Sequence, residues 1–173
     1  NALTNDVMRT LGLLDGDAFT NAAALLADEN AFSGIDMAKF GADHDTILDR
    51  ETVKGVSVIA QFDRAIAFFE RYCEYEAIEG ADRVSVERIP KKAFREAIAN
   101  ALAHRTWDVD ACVRISLSDD DAEIVSPGGL VPGMTKEAYL EGRFSLLRNP
   151  VLAESMFRAG LIEKFGTGVR RIR

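Results

Sequence analysis

Cysteine is scarce in this chain of 173 residues: Cys73 and Cys112 stand far apart and without CxxC spacing. That spacing excludes a disulfide framework or a cysteine-built zinc site and leaves two buried thiols as the expectation. No apolar run approaches the roughly 20 residues that a membrane-spanning helix needs. Neither a basic leader nor a cleavage-like apolar segment opens the chain, so a cytoplasmic setting with no membrane partner is expected. Positive charge is also short, with 21 Lys and Arg against 28 Asp and Glu and a formal net charge of −7. This balance argues against a broad nucleic-acid-binding face. Only the closing "VRRIR" gathers cations, at Arg170, Arg171 and Arg173, and its abrupt end suggests a segment of a longer protein. No GxxxxGK[ST] loop is present, nor the acidic box that accompanies it, which removes the engine of a translocating P-loop helicase. Repeats and low-complexity stretches are absent as well. What remains is 47% hydrophobic residues, enough for a real core in a folded domain.

Two textures follow one another along the chain. Residues 1–55 have weak periodicity: "TNAAALLA" after Thr20 reads as a short helix, and the polar stretch beyond it has room for one strand near Met37 to Phe40. This part reads as a layer packing on the rest and as a linker from a missing upstream domain. From Val56 to about Tyr75, Ile59, Phe62, Ile66, Phe69 and Cys73 recur at helical steps and predict a long amphipathic helix. The same stripe could form a homodimer seam, with core packing as the default. "RVSVERI" alternates as a strand does, and Pro90 is placed in the first turn of the next helix, where its missing N–H loses nothing. "CVRISL" and "AEIV" flank the acidic turn "SDDD" and predict a hairpin. "TKEAYLEG" reads as helical. So does "NPVLAESMFRAG", with Asn149 as cap, Pro150 as first helical residue and Gly160 as stop. "GLIEKFGTGVRRI" closes with a glycine turn that starts another helix.

The helix "FREAIANALAHRTW" carries the chemistry. Its buried stripe is expected to be Ala93, Phe94, Ala97, Ile98, Ala101 and Leu102. Residues four apart lie about 5–6 Å from each other, which stacks Glu96, Asn100 and His104 along the stripe's margin. Alone, such a triple reads as two solvated charges and an amide bonded to nearby backbone. Two glycine turns add weight: "SPGGL" follows the strand "AEIV", and "GTGV" precedes a helix. Glycine lets a ligand approach the backbone, and free N–H groups at a helix start attract phosphate. In this order the pieces describe a nucleotide pocket. Glu96 would orient and deprotonate a water, Asn100 would offer its amide oxygen to Mg²⁺, and the later turn would hold phosphates. His104 reads as a helix-end contact to the glycine turn, Trp107 as packing at the helix end, and His44 as a loop residue.

This order resembles the Bergerat-fold (GHKL) ATP-binding superfamily of type II topoisomerases, mismatch-repair proteins, sensor histidine kinases and anti-sigma-factor kinases. More closely, "AFREAIANALAHRTW", "EIVSPGGLVPGMTKE", "RNPVLAE" and "GLIEKFGTGVRRI" resemble bacterial proteins described as RecG-related ATP-dependent helicases or transcriptional regulators. In these a Schlafen-type AlbA domain usually precedes the segment and a winged helix often follows. The resemblance implies an α+β, two-layer sandwich whose mixed, mostly antiparallel sheet is covered on one face by helices, with residues 56–173 as the nucleotide-binding domain. It further implies ATP and Mg²⁺ as cofactors, Glu96 as general base and Asn100 as metal ligand and cofactor contact. Ser126, Gly128 and Gly129 would form the first glycine box, and Gly166, Thr167 and Gly168 the second. Ser126 stands where the superfamily has an adenine-accepting Asp and is a weaker, neutral acceptor. Thr106 follows the His-Arg pair where the close family often has an acid. Between the boxes, Arg143, Arg148 and Asn149 are candidates to reach phosphate.

Three function classes follow. One is a nucleotide-binding switch, a slow ATPase at most, that signals to DNA through modules absent from this chain. Another is a degenerate scaffold or dimerisation unit without nucleotide. The third is direct DNA binding, supported locally only by the terminal arginines.

Overall fold

The computed structural model describes residues 4–43, 45–79, 82–119, 121–141 and 146–162. In chain order the elements are α1 (Asn5–Thr10), β1 (Leu14–Asp15), β2 (Ala18–Phe19), α2 (Asn21–Leu26), β3 (Ile35–Phe40), β4 (Ile47–Val53), α3 (Val58–Cys73), β5 (Glu74–Glu79), β6 (Asp82–Glu87), α4 (Lys91–His104), β7 (Val113–Leu117), β8 (Ala122–Val125), α5 (Lys136–Glu141) and α6 (Pro150–Arg158).

One face of a four-stranded sheet, in the order β4-β3-β7-β8, carries the core. Strand β3 pairs antiparallel with β4 and parallel with β7, and β7 pairs antiparallel with β8. The sheet is therefore mixed and mostly antiparallel, as the resemblance implied. Side chains alternate across a strand, so Ile35 and Met37 of β3 and Val113, Ile115 and Leu117 of β7 all point inward and are buried. On the opposite face, Arg50 grips Asp36 from Nε at 3.1 Å and from Nη2 at 2.6 Å, and Thr52 Oγ1 donates to the same carboxylate at 2.8 Å. The Arg50 hydrogen bonds hold the Asp36 carboxyl below the usual carboxylate range. Such a polar face can stay in water, which is why one layer of helices suffices.

Helix α3 supplies much of that layer. Ser57 accepts from the Ala60 N–H at 3.1 Å and caps its start. Val58, Phe62, Ala65, Ile66, Phe69 and Cys73 make its buried stripe, with Ile59, expected inside, only half-buried. Phe69 stacks on Phe94 of α4 at 4.2 Å between centroids. Burying each such ring contributes about 2–3 kcal/mol.

Several local expectations change. Residues 1–55, read as a layer packing on the rest with room for one strand, hold four: β1 and β2 pair with each other, and β3 and β4 belong to the four-stranded sheet, whose hydrogen bonding therefore begins well before residue 56. β4 is an edge strand whose inward positions include Asp49 and Glu51, which hides the alternation of a strand. β5, "EYEAIE", pairs with β6 as a separate two-stranded ribbon. Pro90 precedes α4 as the N-cap residue and is not within its first turn. Cys73 is buried, as expected, whereas Cys112 is half-buried. Burial pushes the Cys73 thiol up from its ordinary value. Among the described residues no helix is long and apolar enough to cross a membrane.

Candidate functional site

Helix α4 follows Pro90 and is rich in Ala, the best helix former. Its start is pinned to α3 and to the β5–β6 ribbon: Lys91 Nζ lies 2.6 Å from Glu70 and 2.9 Å from Glu74, and the Lys91 N–H donates to Glu87 Oε2 at 3.0 Å. Phe94, Ile98, Ala101 and Leu102 are buried as the stripe predicts, and Ala99 and Ala103 with them, while Ala93 and Ala97 are half-buried. Glu96, Asn100 and His104 lie at the margin, each half-buried. Asn100 Nδ2 donates to Glu96 Oε1 at 3.2 Å, so the first two form a bonded pair one helical turn apart. This leaves the Asn100 amide oxygen without a hydrogen bond among the described residues.

The first glycine turn comes to the same helix. Strand β8 runs beside α4, and at its end Ser126 Oγ donates to the Ala101 carbonyl at 2.8 Å. The Thr106 N–H donates to the Pro127 carbonyl at 2.9 Å. Gly128 has φ +106°, and a Cβ on it would lie 2.2 Å from Thr106 Oγ1. Gly129 faces open space, with nothing within 4 Å of a notional Cβ. The structure thus sets Ser126 against the residue that follows Asn100, and Gly128 against the chain just beyond α4. Gly166, Thr167 and Gly168 lie outside the described residues, as do Arg143, His44 and the terminal arginines.

One carboxylate and one amide oxygen on a shared helix edge suit a hard cation. Magnesium takes few protein ligands and completes its shell with water and other oxygens, so the Asn100 amide oxygen is a ligand of the right kind for it, with the Glu96 carboxylate beside it. Among the described residues no cluster of three or more His, Cys, Asp or Glu stands ready for a metal by itself.

Arg148 and Asn149, which the sequence offered as phosphate contacts, point elsewhere. Arg148 Nε donates to the His104 carbonyl at 2.9 Å and Nη2 to the Gly129 carbonyl at 2.8 Å. Asn149 holds the N-cap position of α6, but its side chain makes no cap; Nδ2 donates to the carbonyls of Ala103 at 2.8 Å and Arg105 at 2.9 Å. These are the carbonyls a helix end leaves without partners, and satisfying them outweighs a cap on α6. A groove of about 400 Å³ runs beside this junction between Leu25, Thr106, Trp107 and the start of α6; Glu96, Asn100 and Gly128 do not line it.

Sequence reading gave Arg105 no role beyond membership of a His-Arg pair. It is fully buried. Its Nη1 donates to the carbonyls of Ser33 at 2.9 Å and Gly34 at 3.1 Å, its Nη2 donates to that of Ala111, and its guanidinium sits 4.0 Å from the Trp107 ring centroid. It ties the end of α4 to the chain entering β3 and β7. An arginine directly after an alanine-rich helix and two residues before the chain's one Trp was the available signal.

Burial, followed by the Arg148 charge, holds His104 below its ordinary value of 6.5. A folded-state pKa below the unfolded one means the unfolded chain binds the proton more readily, so stability is full above that ordinary value and falls as pH drops below it. We expect the urea midpoint to decline from pH 7.5 to 5.5 and His104→Gln to remove most of the decline. An equal decline in the variant would show that other groups cause it.

Residues 110–173 match the family described as "Putative ATP-dependent DNA helicase recG C-terminal". The match includes both glycine motifs and begins after α4, so it omits Glu96 and Asn100. Among solved structures, the DIP2311 protein from Corynebacterium diphtheriae is similar, with 29% identity and a TM-score of 0.80 over 95% of this chain. The chain spans 34% of that protein. No curated protein matches it significantly.

Proposed function

We propose, from the premise that residues 110–173 carry a RecG-related, ATPase-like segment, that the chain is a Mg²⁺-dependent ATP-binding switch. It would relay its bound state to DNA-binding modules of a longer bacterial regulator, as a monomer or a homodimer. The observation that carries this reading is the meeting of the Glu96–Asn100 pair with the first glycine turn through the Ser126 to Ala101 hydrogen bond. Asn100 would ligate the ion through its amide oxygen. Glu96 would orient the attacking water and take its proton as the water oxygen bonds to the γ-phosphorus and the bond to the ADP oxygen breaks. Bound Mg²⁺ supplies neutralising charge on the phosphates. Ser126, Gly128 and Gly129 would line the base end, and Gly166, Thr167 and Gly168 would hold phosphate. Because the Ser126 proton is committed to Ala101, its lone pairs are left to accept from an amino group such as adenine's.

A scaffold without nucleotide draws on the same hydrogen bond, since a serine that ties a strand end to a helix has a structural use of its own. Calorimetric titration with ATP and MgCl₂ separates the two. We expect saturable binding that weakens at least about tenfold in Asn100→Ala, the loss of one ion ligand, while Glu96→Gln binds and does not turn over. A wild-type chain with no heat of binding and no thermal shift would overturn the switch and favour the scaffold.

A further inference from the structure

Resting on the nucleotide reading, we infer that Arg148 is a positioning residue of the site: it sets the first glycine turn against α4 while touching no phosphate itself. The last carbonyls of α4 have no partners within the helix and carry the negative end of its dipole, where a guanidinium is favoured. Arg148 takes the His104 carbonyl from Nε and, from Nη2 of the same rigid plane, the Gly129 carbonyl. Two bonds from one planar fork fix the separation and direction of the two oxygens, which a flexible ammonium cannot do. With no ion pair to any carboxylate among the described residues, that fork is what orients the Gly129 peptide.

Asn149 supplies an internal contrast. It caps the same helix end, at Ala103 and Arg105, and makes no bond to the glycine turn. Capping α4 and bridging to Gly129 are therefore carried by different side chains and can be removed separately. Arg148 immediately precedes Asn149 and Pro150, the entry to α6, so the bridge also links the turn to the start of that helix.

The test compares Arg148→Lys and Asn149→Ala with the wild type in three readouts: melting temperature, affinity for ATP with MgCl₂, and the carbonyl ¹³C resonance of Gly129. That resonance moves upfield when a hydrogen bond to its oxygen is lost, and it needs no nucleotide. Arg148→Lys is expected to shift the Gly129 signal and to weaken ATP binding about tenfold, the equivalent of one charge-assisted hydrogen bond. Asn149→Ala is expected to lower the melting temperature comparably, with affinity within about twofold of wild type because the bridge survives. Arg148→Gln serves if the lysine variant does not fold. An unchanged Gly129 signal in Arg148→Lys, or affinity losses that follow melting temperature alike in both variants, would overturn the inference. Absence of ATP binding in the wild type would overturn the nucleotide reading and the role with it, whereas wild-type binding unaltered by Arg148→Lys overturns only the role.

Discussion

Replacing Arg105 with methionine is expected to destabilise the chain by about 2–5 kcal/mol, set by the carbonyls left without a donor and offset in part by relief of the cation's own burial. Methionine fills much of the same volume, so the loss is chiefly one of hydrogen bonds. The carbonyls of Ser33 and Ala111 lose their guanidinium donor, while that of Gly34 keeps the Val113 N–H at 3.0 Å. Each bond to a charged group contributes about 1.5–3 kcal/mol, and a buried carbonyl without a donor costs about 1–3 kcal/mol. The contact of the cation with the Trp107 ring goes as well. Arg105→Lys should recover little, because one compact ammonium cannot span carbonyls on two separate segments. For a domain of this size the methionine variant should melt about 10 °C below wild type. A shift of only a degree or two would mean that β3 and β7 hold their approach to α4 without this cation.

Gly128→Ala is expected to cost about 3 kcal/mol or more and to disturb the site beyond that. The two penalties have separate origins. An alanine at φ +106° pays backbone strain of roughly 1–3 kcal/mol. Its Cβ would also lie 2.2 Å from Thr106 Oγ1 and 3.1 Å from Thr106 Cβ, an overlap that costs roughly another 1–3 kcal/mol when neighbours must shift. Thr106 is held through its N–H to Pro127, so the turn and the helix end would be pushed apart at the contact that joins them. Thermal melts of Gly128→Ala alone and combined with Thr106→Ala apportion the effect. The double variant should recover part of the overlap and none of the strain. Equal melting temperatures for Gly128→Ala and wild type would mean that the turn adopts a different path.

The elements legible in the sequence are those whose cause lies within a few residues. Helix α3 follows from apolar spacing, α4 from an alanine-rich stripe, and the β7–β8 hairpin from alternation around an acidic turn. β4 and β5 were not legible, because "ILDRETV" and "EYEAIE" show their strand character only through partners in the sheet and the ribbon. Asp49, for example, sits in an edge strand and is satisfied by Arg71 at 3.2 Å and by the Tyr72 hydroxyl, both on α3. The acidic hairpin turn likewise serves a distant partner: Asp119 takes the buried Lys39 ammonium at 2.7 Å and Arg88 at 3.2 Å.

For the candidate site the same division holds. Glu96 and Asn100 meet because they are one turn apart on a helix, and any sequence that forms α4 must stack them. That Ser126 would donate to Ala101, 25 residues away, and that Arg148 and Asn149 would satisfy the end of α4 from 44 to 46 residues away, depended on which surfaces packed together. By itself the chain's residue order determined helices α2 to α6, the hairpin and the acid–amide edge, since local backbone geometry dictates them, whereas α1 went unread. Only the tertiary structure decided what those edges face, because a carbonyl at a helix end accepts whichever donor the packing of the core delivers.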